Sequence, residues 1–178
     1  MVGQIETSKL GSDAPFPGGV EGLVQVFTGA QRAFFTGVMA QALRLATQGT
    51  PVLVVQFLKG GIRQGTEHAV RLGQHLDWLR CDLTRIIDTA EIEEGEISAL
   101  RRLWEHTSRV IEEGRYALVV LDELSLAVHF GLVPLDEVLS LMRDRPAPVD
   151  LILTGPEMPQ PILDLADQIT EIRRSHQP

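Results

Sequence analysis

From Leu23 onward the chain alternates short β-branched runs with longer amphipathic stretches, the pattern of a parallel sheet covered by helices. "LVQVFT" supplies the first strand, and the segment from about Ala33 to Thr47 sets Phe35, Val38, Met39, Ala42, Leu45 and Ala46 at helical spacing. Gln48-Gly49 ends that helix before the second strand, "PVLVVQF", which completes one βαβ unit. A polar loop, "LKGGIRQG", leads to an expected helix over "TEHAVRLGQHL" and a third strand around "LDWLRC". The acidic start "AEIEEGE" opens a long helix through Leu100, Leu103, Trp104, Val110 and Ile111, its acids favoured by the helix dipole. "YALVVLDE" is a buried strand ending in acids. A short helix, a helix from Leu135 to Met142, the strand "VDLILTG", a helix over "PQPILDLAD" and the strand "QITEIRR" follow.

The first twenty residues hold prolines, glycines and charges but no apolar stretch, so neither a signal peptide nor a membrane anchor is expected there. Residues 1–19 are read as a flexible, disordered extension, with Phe16 between two prolines as the alternative of a docking point; residues 20–178 are read as a single α/β domain. A length of 178 residues, 44% of them hydrophobic and 22% charged, suits that size. No later apolar run reaches spanning length, which argues against a membrane protein. The 24 acids outnumber the 16 bases, for a net charge of −8, and a nucleic-acid partner is excluded for want of a basic face. Cys81 stands alone, so there is no internal disulfide, and a reducing, cytoplasmic setting is expected. His68, His75, His106, His129 and His176 show no metal-ligand spacing.

Ligands of such sheets bind beyond the carboxyl ends of the strands. Four loops therefore converge: "GAQRAFFTG" (29–37) after the first strand, and those after "PVLVVQF", "LVVLDE" and "LILTG". Asp122 and Glu123, just past an apolar run, have the form of a Walker B site, where the aspartate organises Mg²⁺ on a nucleotide; the same acid equally suits a strand end that caps the next helix. Gln56 and Lys59 of "QFLKGG" and Glu67 of "QGTEH" are further crevice candidates, although a solvated loop lysine and a first-turn acid are ordinary alternatives.

"GLVQVFTG", "VLVVQFLKG", "ALVVLDELS", "VPLDEVL" and "LILTG…ILDLADQITEIR" together resemble, in order and spacing, the blocks of the P-loop-type ATP:corrinoid adenosyltransferases of the cobalamin pathway. The resemblance runs from Glu21 to Arg174. It implies a RecA-like P-loop fold, a mostly parallel sheet flanked by helices, homodimer formation, and use of ATP, Mg²⁺ and a reduced corrinoid. The family's reaction moves the 5′-deoxyadenosyl group of ATP to Co(I), so the protein has to hold the two reactants in line.

The family's loop reads G-N-G-K-G-K-T-T. Against it Gly29 keeps the first glycine, Gln31 and Ala33 replace the other two, Arg32 takes the first lysine's place and Phe34 the second's. Phe35 replaces the threonine whose hydroxyl would coordinate Mg²⁺, and Thr36 keeps the next. Such a loop works by pointing backbone N–H groups and a lysine at a polyanion, and each lost charged hydrogen bond is worth about 1.5–3 kcal/mol. Pro156 stands where the family has arginine, a "GFTW"-like segment is replaced by "LTRIIDT", and the chain ends at "RRSHQP" where the family continues. The sequence thus points to a non-catalytic relative with a degenerate phosphate loop, binding a small, flat molecule or a partner protein. The alternatives are an active adenosyltransferase in which Arg32 and Lys59 replace the lost lysine, with Asp122 holding the metal only if Mg-nucleotide binds, and a structural subunit paired with an intact relative. Phe34 and Phe35 are expected to plug the cavity or to offer an apolar platform, and Asp122 to be satisfied by a hydroxyl such as that of Thr36 or by backbone N–H groups.

Overall fold

The computed structural model describes residues 21–60, 65–67 and 69–173. The expectations for the N-terminal extension with Phe16, for residues 61–64, for His68 and for residues 174–178 lie outside the described residues. The elements are β1 (Val24–Gly29), α1 (Thr36–Thr47), β2 (Val52–Gln56), β3 (Val70–Leu72), β4 (Leu76–Arg80), α2 (Glu94–Glu112), β5 (Leu118–Asp122), α3 (Leu124–His129), α4 (Leu135–Asp144), β6 (Asp150–Thr154), α5 (Gln160–Asp164) and β7 (Gln168–Ile172). The sheet has seven strands in the order β3-β4-β2-β5-β6-β1-β7, all neighbours parallel except β3 against β4. This mostly parallel sheet flanked by helices is the architecture expected from the resemblance.

The central strands are buried on both faces, which is why they read as unbroken runs: β2 and β5 are buried at every position. One face packs against α2, α4 and α5 through residues such as Leu100, Trp104, Val138 and Ile162. The other is covered by α1 through Val38, Ala42 and Ala46, packed on Val52, Val54 and Val120. The α2 helix begins at a capping box between Glu93 and Glu96 and buries Leu100, Leu103, Trp104, Val110 and Ile111 at helical spacing, each large apolar chain worth about 1.5–3 kcal/mol.

Two local expectations are corrected. The helix expected over Thr66–Leu76 is instead an antiparallel hairpin: Val70 pairs with Trp78 and Leu72 with Leu76, and Gly73 makes the turn at φ +68°, a conformation glycine adopts without steric cost. Val70-Arg71-Leu72 alternates with the period of a strand, and the open edge of β4 gives it a partner. Second, α1 starts at Thr36 rather than near Ala33, with Phe35 at the N-cap in non-helical geometry.

Candidate functional site

The crevice is assembled by strand register. Gln56 closes β2, where it lies level with Asp122 at the end of β5 on one side and Arg80 at the end of β4 on the other. Leu121 pairs with Leu153, so Thr154 arrives beside Asp122. Period-two alternation then puts Asp122 on the face of Val120, the face that α1 covers.

Asp122 is 4% exposed, and both its oxygens are engaged. Thr154 Oγ1 donates to Oδ1 at 2.9 Å, while Gln56 Nε2 and Lys59 Nζ each donate to Oδ2 at 2.8 Å. The hydroxyl that satisfies Asp122 is therefore that of Thr154, not Thr36, which sits in the first turn of α1. Gln56 is itself buried, and its Oε1 accepts from Trp78 Nε1 at 3.0 Å and from Arg80 Nε at 2.8 Å. Lys59 also lies 4.9 Å from the centre of the Phe34 ring, a cation–π contact.

Glu123 forms the second ion pair. Arg32 Nε and Nη2 donate to its two carboxylate oxygens at 2.5 and 2.7 Å, and Arg32 Nη1 reaches the Ile87 carbonyl at 3.0 Å. The Glu123 hydrogen bond, first among the causes, raises the Arg32 pKa above its ordinary value, so the guanidinium stays charged. Glu123 sits at φ 61°, a left-handed conformation that disfavours a residue with a side chain. It is held there by Arg32 and by its own N–H, which donates to Thr154 Oγ1 at 3.0 Å.

The loop from Gly29 to Phe35 completes the crevice. A Cβ on Gly29 would come within 2.8 Å of the Ile172 carbonyl of β7, so close approach of β7 accounts for this glycine without a phosphate. Phe35 precedes α1 without a side-chain cap and is buried edge-on against Phe27, ring centres 6.2 Å apart. Phe34 stays 56% exposed. Of the two rings, Phe35 fills space and Phe34 covers Lys59. Between the loop and the end of β7 lies a cavity of about 340 Å³, lined in part by Ala30, Ala33, Phe35 and Ile172.

Arg32, Gln56, Lys59, Asp122 and Glu123 thus converge, whereas Glu67 lies apart, in a cleft beside Arg80 and α2. Thr154, Trp78 and Arg80 went unnoticed in the sequence. Thr154 carried a signal: it ends a strand whose loop was already expected at the crevice. Asp122 accepts three hydrogen bonds on its two oxygens, a single one of them on Oδ1, and Phe35 brings no hydroxyl to a divalent cation, which takes oxygen ligands. No group of three or more His, Cys, Asp or Glu arranged for a metal occurs among the described residues. Cys81 is buried, and burial pushes its thiol up to about 12, so it is not a reactive thiolate. No helix among the described residues is long and apolar enough to cross a membrane.

The profile of the family described as "ATP:corrinoid adenosyltransferase BtuR/CobO/CobP" matches residues 20–178. The corrinoid adenosyltransferase of Escherichia coli (strain K12) is 32% identical over 152 residues, 85% of this chain and 76% of the relative. Corrinoid adenosyltransferase CobA of Salmonella typhimurium (strain LT2) is 33% identical with the same coverage. The protein all2391 of Nostoc sp. (strain PCC 7120) is 34% identical over 133 residues, 71% of this chain and 35% of the relative.

Proposed function

The chain belongs to the ATP:corrinoid adenosyltransferase family, and from that premise we propose that it is a non-catalytic member with a degenerate phosphate loop, using the inherited crevice to bind a small molecule or a partner protein. The observation that carries this reading is the pair of ion pairs, Arg32 with Glu123 and Lys59 with Asp122. The two cations best placed to meet a triphosphate are already spent on the two acids best placed to organise its metal. Freeing Arg32 strands the buried Glu123 carboxylate, which costs about 3 kcal/mol or more, and freeing Lys59 takes one of three donors from Asp122. Gln31, Ala33, Phe34 and Phe35 return no charged contact. The cavity beside Ala33 and Phe35 suits a small apolar ligand. The same reading takes the chain as a homodimer working in the cytoplasm; sedimentation at micromolar concentration showing a strict monomer removes the dimer.

One observation favours a second reading, an active adenosyltransferase: Arg32 and Lys59 both stand at the crevice. It requires both to exchange a carboxylate for phosphate. Calorimetric titration with ATP, with and without Mg²⁺, separates the two on the unaltered chain and on the triple variant Ala33→Gly, Phe34→Lys, Phe35→Thr. The non-catalytic reading expects millimolar or absent binding, improved in the variant. Micromolar, Mg²⁺-dependent binding by the unaltered chain supports the second.

A further inference from the structure

Among the described residues the sheet ends at β7, which pairs with β1 and stands at the edge. Every residue of the strand is exposed, with Ile169 at 52% and Ile172 at 45%. The opposite edge strand, β3, is shorter and presents Arg71, two devices that blunt an edge. Within β7 there is neither a base nor a proline. An exposed edge carrying isoleucines is a template for another strand.

The charges flanking β7 select what that strand can be. Gln25 Nε2 donates to Gln168 Oε1 at 2.6 Å, so Gln168, Thr170 and Ile172 share the sheet face of Gln25 and Phe27, while Ile169 and Glu171 take the other. Arg173 follows Glu171 onto that second face, bonded to it at 2.8 Å, and Asp167 is held at the start of the edge by accepting from the Val24 N–H at 2.7 Å. Asp167 and Arg173 are equally far from Thr170 in sequence. A second β7, antiparallel about a two-fold axis at Thr170, therefore sets Asp167 opposite Arg173 in both halves, with Ile169 opposite Glu171 and Gln168 opposite Ile172. Moving the axis to Ile169 brings Asp167 against Glu171, and moving it to Glu171 sets that carboxylate against its own copy. Like charges directly opposite destabilise a sheet and unlike charges stabilise it, so only the axis at Thr170 among these three gives attraction without repulsion.

We propose that the β7 edge pairs with β7 of a second copy of this chain, antiparallel about Thr170, so that one sheet runs through both protomers. A surface that meets itself about a two-fold axis must be complementary to its own reverse, and an acid and a base placed symmetrically about Thr170 meet that condition. The inference rests on the homodimer reading and supplies its interface; it is independent of whether the crevice binds ATP.

The test combines sedimentation of the full chain at micromolar concentration with cross-linking. Residues opposite each other in antiparallel strands lie about 4.5–5.5 Å apart between Cα atoms, within disulfide reach. Thr170→Cys should therefore give a disulfide-linked dimer on mild oxidation, and Gln168→Cys should not; Cys81 is buried and does not compete. Ile169→Glu sets two carboxylates opposite each other in each half and should weaken the dimer about tenfold or more, and adding Glu171→Lys to it should restore association. Both positions are exposed, so the fold is kept. A dimer that is indifferent to Ile169→Glu and is not captured through Thr170→Cys overturns this interface while leaving the homodimer reading standing. A strict monomer overturns both, and an unreactive Thr170→Cys thiol in that monomer would mean that the chain's own terminus covers the edge.

Discussion

Two sites on one sheet carry the same inventory of charge and use it in opposite ways. In the crevice, two cations and two acids are matched at 2.5 and 2.8 Å; in the cleft beside α2, Arg80, Arg102, Glu67 and Asp82 form no ion pair with one another among the described residues. Burial decides between them. The crevice carboxylates are only 5% exposed, and an unpaired buried charge is too costly to persist. Glu67, Asp82 and Arg102 are exposed, hydrated, and under no such demand. A buried site surrounded by its own chain completes itself.

The largest test of that contrast is Arg32→Met, which strands the Glu123 carboxylate in a buried position. Chemical denaturation at pH 7 should show a loss of about 3 kcal/mol, largely recovered in the double variant with Glu123→Gln. Gln56→Leu removes one of three donors from Asp122 and the acceptor of both Trp78 and Arg80, and should cost about 2 kcal/mol. Lys59→Met leaves Asp122 its bonds from Gln56 and Thr154, so about 1 kcal/mol is expected. At the small end, Arg102→Gln should change stability by no more than about 0.5 kcal/mol. A large loss there would mean that the cleft's charges are structural after all.

Away from both sites, Tyr116 is raised to about 12, first by burial and then by its hydrogen bond to Asp77. A raised folded pKa contributes stability that is fully present below the unfolded value of 10.0 and is lost as pH rises through about 12. A denaturation series across that window should show a decline that Tyr116→Phe flattens.

The sheet was legible because its central strands are buried on both faces and so announce themselves as "VLVV" and "LVVL". The hairpin at Val70–Leu72 was not: it depends on the free edge of β4, and three residues of alternation are too few to outweigh a longer amphipathic reading. At the crevice, the residue types at Arg32, Lys59, Asp122 and Glu123 were visible, and so was the departure of Phe34 and Phe35 from the family's loop. Their pairing was hidden, because Arg32 and Glu123 are 91 residues apart and meet only once the strand order is set. For the same reason Thr154, rather than Thr36, supplies the hydroxyl to Asp122.

The most direct measurement of the central claim is a titration of the unaltered chain with MgATP, followed by an assay for adenosylation of a Co(I) corrinoid. If Arg32 and Lys59 are committed to Glu123 and Asp122, binding is millimolar or absent and no adenosylated corrinoid forms. Micromolar, Mg²⁺-dependent binding together with turnover would contradict the account.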